Sequence, residues 1–186
     1  AILDTDSVLK ELASKFRDIS WAPRIQFGGL IDAPDENGDT KAQGPVMGIG
    51  IDLLSPGSAE PDRMNLRKSV VRGALPSAKN EVLLSQKLSE KLKVNPGDKV
   101  TLIGASMFGG MTFSNFIVAG TIAMGQESLD KGTMIADIED VRTALSMENA
   151  TGEILGFFNT GFYDDEKAVS ISSSFNKEQK EGDEFA

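Results

Sequence analysis

The chain has 186 residues, of which 40% are hydrophobic and 25% charged, an ordinary globular composition, and its formal net charge is −9. It contains no cysteine and no histidine, which excludes disulfides, thiolate metal sites and every nucleophile that depends on a histidine base. Because nucleic-acid phosphates require clustered Lys and Arg, an acidic chain without a basic stripe predicts no nucleic-acid partner.

The first third of the chain predicts one helix and two extended segments. Pro23 forces the residue before it out of the helical region, so the residues around it are expected to be extended. Asn37 and Gly38 favour a turn in the polar stretch that follows. The predicted elements are a helix over residues 7–18, an extended segment over 19–31, a polar loop over 33–43 and a strand over 46–54.

The stretch from residue 80 to residue 124 carries the most specific pattern in the chain. Within it, leucines spaced by four residues predict a short helix, and a Pro-Gly pair predicts a type II turn after that helix. The predicted elements are a strand, a helix over residues 85–92 with Leu84, Leu88 and Leu92 on one face, a turn over 95–98 with Pro96 and Gly97, and strands over 99–103 and 115–122.

The remainder of the chain predicts two further strands and two further helices. The predicted elements are a strand over residues 133–137, a helix that begins at Asp137 or Asp140 and ends near Met147, a strand over 152–158 and a helix over 164–176. Strands outnumber helices and do not alternate with them strictly. We therefore predict an α+β fold.

No motif in the sequence predicts a catalytic residue, a cofactor site or a metal site. The acidic stretch 32–39 lacks ligands at the required positions of a calcium loop. Residues 104–110 have the glycine spacing of a P-loop, but Gly110 stands where the phosphate-binding Lys must be. Gly48-Ile49-Gly50 is not followed by the glycine and helix of a dinucleotide fingerprint. We predict a non-enzymatic chain that holds no cofactor.

An alternative prediction is a free-standing enzyme that uses paired carboxylates, since the chain has 28 acidic residues. Such an enzyme would need a deep acidic pocket and carboxyl groups of shifted pKa. The other alternative is an interaction or adaptor module without a role in transport.

One loop has an unusual composition for its predicted position. Residues 106–113 connect two predicted strands, where a polar tip is the norm because connections run over the surface. This loop instead carries four large apolar side chains, which either fold back onto the core or are exposed for a partner. The candidate partner-binding residues are Met107, Phe108, Met111 and Phe113.

The order and spacing of several segments resemble the periplasmic domain of MacB-like ABC transporter permeases, the family that includes MacB, LolC, LolE and FtsX. The main segments are EVLL at 81–84, LSEKLKV at 88–94, PGDKVTL at 96–102 and FIVAGTI at 116–122. Further similar segments are APRI at 22–25, GGL at 28–30, IGID at 49–52 and the strand and helix over 134–145. The resemblance covers most of residues 21–155.

The resemblance implies a mixed α/β "porter" subdomain built from both ends of the chain and an inserted β-rich "Sabre" subdomain. On this basis residues 1–66 and 151–186 are assigned to the porter-like part, and residues 67–150 to the Sabre-like insertion. The resemblance also implies a soluble fragment of an inner-membrane protein, located in the periplasm between two membrane helices of the full permease.

The resemblance further implies which partners the full permease has. These are a separate ATPase subunit reached through the membrane part, a second permease copy or paralogue, and a periplasmic carrier or adaptor protein. In LolC-type members a hairpin loop of the inserted subdomain captures a lipoprotein carrier, and residues 106–113 occupy the corresponding place. Lipoprotein export, efflux and regulation of a cell-wall hydrolase all stay open as the cargo function.

Overall fold

The computed structural model describes residues 1–182 of the chain, and the side chains through residue 177. These residues form eight strands and seven helices. The helices are α1 (Thr5–Lys15), α2 (Glu60–Arg63), α3 (Leu66–Ser69), α4 (Gln86–Leu92), α5 (Glu127–Asp130), α6 (Ile138–Leu145) and α7 (Asp165–Gly182). The strands are β1 (Ile19–Pro34), β2 (Thr40–Ile51), β3 (Val70–Gly73), β4 (Glu81–Ser85), β5 (Lys99–Ala105), β6 (Met111–Ile122), β7 (Thr133–Asp137) and β8 (Glu153–Phe158).

Six of the strands close into a barrel. Around the ring the order is β1, β2, β7, β4, β6 and β5, and β5 pairs again with β1. The β2–β7 and β4–β6 pairs are parallel, and the other four are antiparallel. Outside the ring, β3 pairs with β6, and β8 pairs with β1. Closure hydrogen-bonds the strands into a ring and leaves little exposed sheet edge.

The long first strand joins the barrel to β8, outside the ring. Residues 19–24 of β1 pair with β8, and residues 25–34 pair with β2 in the barrel. The backbone of Ile2 also bridges to Thr151, next to the start of β8. Ile2 and β8 therefore lie together beside one half of β1.

The barrel interior holds the main hydrophobic core, and a second cluster covers part of its outer surface. The side chains of β4 show the division, because Val82 and Leu84 point into the barrel whereas Leu83 packs in the outer cluster. Burial on both faces explains the unbroken apolar run of this strand. Outside the barrel, Leu83 packs with Ile51, Leu66, Ile122 and Ile135.

Local features of residues 80–124 confirm several sequence-based predictions. Leu84, Leu88 and Leu92 are all buried, so the leucine stripe faces the core as expected. Gly97 has a φ of +97°, which a residue with a side chain rarely adopts, and the predicted turn lies there. Outside this stretch, a β-carbon at Gly48 of β2 would clash with the ring of Phe27, so close packing requires glycine there.

Two strands begin earlier than predicted, and one strand was not predicted. β2 begins at Thr40 and not near residue 46, which shortens the predicted polar loop to the turn after Pro34. β6 begins at Met111 and not at residue 115. In both cases the added residues are held extended by hairpin pairing with the preceding strand. β3 follows α3, and among the described strands it pairs only with β6.

The division into porter-like and Sabre-like parts stays a prediction. Strands β1 and β2 of the assigned range 1–66 pair with β5 and β7 of the range 67–150 inside one barrel. The association of β8 with β1 joins the ranges 151–186 and 1–66, as the assignment requires of the porter-like part.

Candidate partner-binding site

The β5–β6 hairpin positions the candidate residues. The strands pair without interruption from Lys99 opposite Ile117 to Ala105 opposite Met111, so the connecting loop is only residues 106–110. At its base the Ser106 N–H donates to the Gly110 carbonyl at 2.7 Å, and the Gly110 N–H donates to the Ser106 hydroxyl at 3.1 Å. The tip is therefore a short, hydrogen-bonded turn.

The four candidate side chains are exposed. The exposed fractions are 79% for Phe108, 72% for Met111, 66% for Phe113 and 37% for Met107. The alternative in which this loop folds down as core is therefore wrong. The Met107 N–H donates to the Leu145 carbonyl at the end of α6, at 2.8 Å, which anchors the tip on the barrel while its side chains stay outside.

The pleat of β6 places two of these residues on the same side. Met111 and Phe113 are two residues apart and lie on the outer face, while Phe116 begins the series of deeply buried side chains in this strand. Thr112, between the two exposed residues, has a buried hydroxyl that forms no hydrogen bond among the described residues. The hairpin thus offers a small apolar surface with no polar group that could perform acid–base chemistry.

Charged residues are absent from the hairpin beyond Lys99, the first residue of β5. No charged residue lies between Lys99 and Glu127, although a quarter of the chain is charged. An exposed surface that is both apolar and uncharged is typical of a protein contact site. The lack of charge in the hairpin can be seen in the sequence. Which residues of β1 and β2 lie near the hairpin can be known only from strand register.

One cavity lies elsewhere and is an open groove of about 880 Å³. It runs between the β1–β2 turn and the turn that precedes β5, and both acidic and basic side chains line it. Two of its carboxylates have structural roles: Asp35 accepts from the backbone N–H groups of Asn37 and Asp39, and Asp98 accepts from that of Asn95. These carboxylates stabilise turns, as Asp commonly does.

One described carboxyl has a raised pKa, but it lies outside this groove. Burial raises the pKa of Asp140, partly opposed by the Asn80 N–H, which donates to Asp140 Oδ2 at 2.6 Å. The neighbouring Asp137 accepts from the N–H groups of Leu53, Leu54 and Glu139. Both carboxylates thus connect the start of α6 to nearby loops. The described residues contain no cluster of three or more metal-ligating side chains.

The raised pKa of Asp140 predicts a specific pH dependence of stability. Because the folded pKa exceeds the ordinary value of 3.8, this group favours folding most below pH 3.8, and its contribution is lost as pH rises through the folded pKa. In Asp140→Asn the amide oxygen still accepts from Asn80. We expect the stability of the variant relative to wild type to rise between pH 4 and 7 in urea unfolding experiments.

The exposed Asp62→Asn is the matched control for this measurement, because its side chain is 71% exposed. A constant difference in unfolding free energy between Asp140→Asn and wild type across the pH range would contradict the assignment.

Comparison with known proteins gives a match at the level of structure. No family model matches the sequence, and no curated protein matches it. Among solved structures, the periplasmic region of MacB from Actinobacillus actinomycetemcomitans superposes with a TM-score of 0.60 at 14% sequence identity. The match covers 94% of this chain and 72% of that chain.

The chain has a MacB-like periplasmic fold. The predicted resemblance is thus confirmed at the level of the fold, as is the α+β class. Among the residues described in this MacB-like domain, no helix has the length and apolar character needed to cross a membrane. The candidate residues on the β5–β6 hairpin stay a prediction, since the comparison concerns the fold and not the contacts that this hairpin makes.

Proposed function

We propose that the chain is the extracytoplasmic domain of an ABC transporter permease and acts by protein contacts, without catalysis of its own. The observation that carries this proposal is the structural match to a MacB periplasmic region over 94% of the chain. The sequence segments that resemble MacB-like permeases support it independently of the superposition. The proposed location is the periplasmic side of the inner membrane, as part of a longer permease chain.

In this proposal the β5–β6 hairpin contacts cargo or a partner protein. Phe108 and Met111 are its most exposed large side chains, and neither contributes to the barrel core. Met and Phe suit an apolar contact because they bury large areas, and the Met side chain repacks easily. A periplasmic carrier or adaptor protein is the proposed partner, and a LolC/LolE-type or a MacB-type role would both use such a contact.

The contacts of α1 suggest how membrane motion reaches the barrel. Near its start, the Thr5 N–H donates to the Asn149 carbonyl at 2.9 Å, and the Asn149 side chain donates to Asp4 at 3.0 Å. Just beyond its end, the Asp18 carboxylate accepts from Lys167 of α7. We propose that these attachments transmit ATP-driven motion of the membrane helices as a rigid-body displacement. The ATPase subunit and a second permease copy or paralogue would act through the membrane part.

The test is transport by the full-length permease carrying both Phe108→Asp and Met111→Asp. Truncation of a contact hot spot typically costs about 2 kcal/mol or more, and we expect transport to fall at least about tenfold. The matched control is Val71→Asp, since Val71 is 52% exposed on β3, and β3 pairs with β6 at the end opposite the hairpin tip. Wild-type transport by the double variant, at normal protein level, would refute a role for the hairpin.

A further inference from the structure

One edge of β6 is unpaired next to the hairpin tip. Strand β5 pairs with β6 continuously from Met111 to Ile117, whereas β4, on the other side of β6, joins it only from Ile117 onward. Before β4 the chain folds into a turn, in which the N–H groups of Ser77 and Ala78 donate to the Glu81 carboxylate at 2.7 and 3.1 Å. Residues 111–115 of β6 therefore have no strand neighbour on the β4 side within the described part of the chain.

The backbone of this edge points away from β5 at three residues. The Ile117 N–H donates to the Asn80 carbonyl on the β4 side at 2.8 Å, and the Val118 N–H donates to the Asp98 carbonyl on the β5 side at 2.9 Å. Successive residues of a strand direct their backbone groups to alternate sides, so every second residue before Ile117 faces the β4 side. These residues are Met111, Phe113 and Asn115.

The three outward N–H groups and three outward carbonyls form no backbone hydrogen bond with any residue that the structure describes. An unpaired edge is a template for another chain, and proteins usually protect it with charged side chains, proline or a bulge. Residues 111–116 contain no charge and no proline, and their pairing with β5 has no register shift. None of these protective features therefore opposes the addition of a strand here.

Helix α6 approaches this part of β6 from inside the barrel. A β-carbon at Gly104 would lie 3.4 Å from Leu145, and one at Gly50 would lie 3.0 Å from Val141. Val141 and Leu145 both belong to the interior core cluster. Since α6 packs on the inner side of the wall, it leaves the outer face of residues 111–115 uncovered.

We propose that the edge of β6 over residues 111–115 binds an extended segment of a partner protein, which adds as a strand beside β6 in line with β4. The inference rests on the proposed function, because it specifies how the hairpin holds the partner that it contacts. Main-chain hydrogen bonds to the three outward residues would supply affinity, and side chains at alternate positions would supply specificity.

The edge defines the kind of segment that fits. Asn80 limits the site at one end, and five residues at about 3.4 Å each span about 17 Å. On the outer face the added strand would lie beside the exposed side chains of Met111 and Phe113. Apolar and β-branched side chains form favourable cross-strand pairs with such residues. The segment is therefore expected to carry them at every second position.

Strand register argues against a second copy of this chain as the occupant. Two β6 strands paired antiparallel with Phe113 opposite Phe113 would bring Gly109 of the second copy opposite Ile117, where Asn80 already accepts a hydrogen bond. A register shifted toward the tip avoids Asn80, but it pairs only Met111 and Phe113 before the turn at residues 106–110 begins. A segment that does not end in a hairpin turn can pair with all three outward residues.

The test titrates the chain with a labelled seven-residue peptide in which Thr and Val alternate, followed by fluorescence anisotropy. Two further peptides carry backbone N-methyl groups, one on every Val and the other on every Thr. Only alternate N–H groups of an added strand face β6, so we expect one methylated peptide to bind at least about tenfold more weakly and the other to bind like the parent.

A matched pair of variants tests the same edge from the side of the protein. Asn115→Pro removes an outward N–H and no hydrogen bond to β5, a position where proline is tolerated in a strand. Asn115→Ala removes the same side chain and keeps the N–H. We expect Asn115→Pro to weaken binding of the parent peptide at least about fivefold and Asn115→Ala to leave it unchanged, with circular dichroism as the check that both variants fold.

Absence of binding by the parent peptide, or an equal loss of binding in both methylated peptides, would overturn the proposal. The methylated peptides decide the question even where Asn115→Pro does not fold. Self-association in sedimentation experiments that Asn115→Pro abolishes would overturn the proposal in favour of a second copy.

The transport test of the hairpin is separate. Loss of transport in Phe108→Asp/Met111→Asp together with normal transport in a folded Asn115→Pro permease refutes only the strand addition. Peptide binding to the edge with normal transport in the double variant refutes only the role of the tip.

Discussion

Replacing Phe116 by alanine is expected to lower the free energy of unfolding by about 3–5 kcal/mol. Phe116 is 1% exposed and is among the largest fully buried side chains of the chain. It projects from β6 into the barrel, where its strand partner is the buried Val100. Because the barrel is closed on all sides by hydrogen-bonded strands, the wall cannot easily move inward to fill the space that the ring leaves.

The matched control for this prediction is Phe113→Ala on the same strand. Phe113 is 66% exposed on the outer face, so its loss should change stability by no more than about 0.5 kcal/mol, as at most surface positions. Chemical denaturation monitored by circular dichroism measures both variants. Equal destabilisation by the two substitutions would mean that the register assigned to β6 is wrong. The same control variant should impair partner binding, which separates the role of Phe113 in contact from the role of Phe116 in folding.

Replacing Glu60 by alanine is expected to destabilise the fold by about 3–5 kcal/mol, the usual cost of removing one partner of a buried ion pair. Glu60 is 3% exposed, and its two carboxylate oxygens accept from Arg24 Nε at 2.7 Å and from Arg63 Nη1 at 3.1 Å. Both guanidinium groups also lie near the ring of Phe157, at 5.8 and 4.0 Å from its centroid. Without the carboxylate, two like charges would remain close together and partly buried.

Asp62→Ala provides the comparison on the same short helix. Asp62 pairs with Arg67 at 3.1 Å, but both side chains are well exposed, and such pairs contribute about 0–1 kcal/mol. Urea unfolding at low and high salt checks the pair of predictions, since salt screens the exposed pair more than the buried one. If Glu60→Ala costs no more than Asp62→Ala, the Glu60 cluster does not hold α2 against β1 and β8.

Prediction from sequence worked best where the pattern and the turn residues were local. Leucines spaced by four residues were sufficient to predict α4, because helix periodicity is visible within one short segment. The turn at Gly97 was also predictable, because proline and glycine restrict or permit backbone angles regardless of their neighbours. The start of β6 was missed because residues 106–113 were predicted as one loop, whereas residues 111–114 pair with β5.

For the candidate site, too, some properties could be predicted from the sequence and others could not. That Met107, Phe108, Met111 and Phe113 form an apolar cluster in a hairpin was readable in the sequence. Whether they were packed or exposed was not, because exposure depends on which distant segment covers the loop. The structure shows that α6 contacts the tip through a backbone hydrogen bond at Met107 and leaves the side chains uncovered.

The sequence by itself determined the α+β class, the strand–helix–turn–hairpin order of residues 80–124 and the lack of histidine and cysteine chemistry. These properties depend on composition and on spacing within a few residues. Only the tertiary structure decided that six strands close into a barrel and that Leu30, Ile103 and Phe113 share one row on its outer face. Both depend on strand register, which pairs residues far apart in the chain. A shift of one residue in the register would move each side chain to the opposite face of the barrel wall.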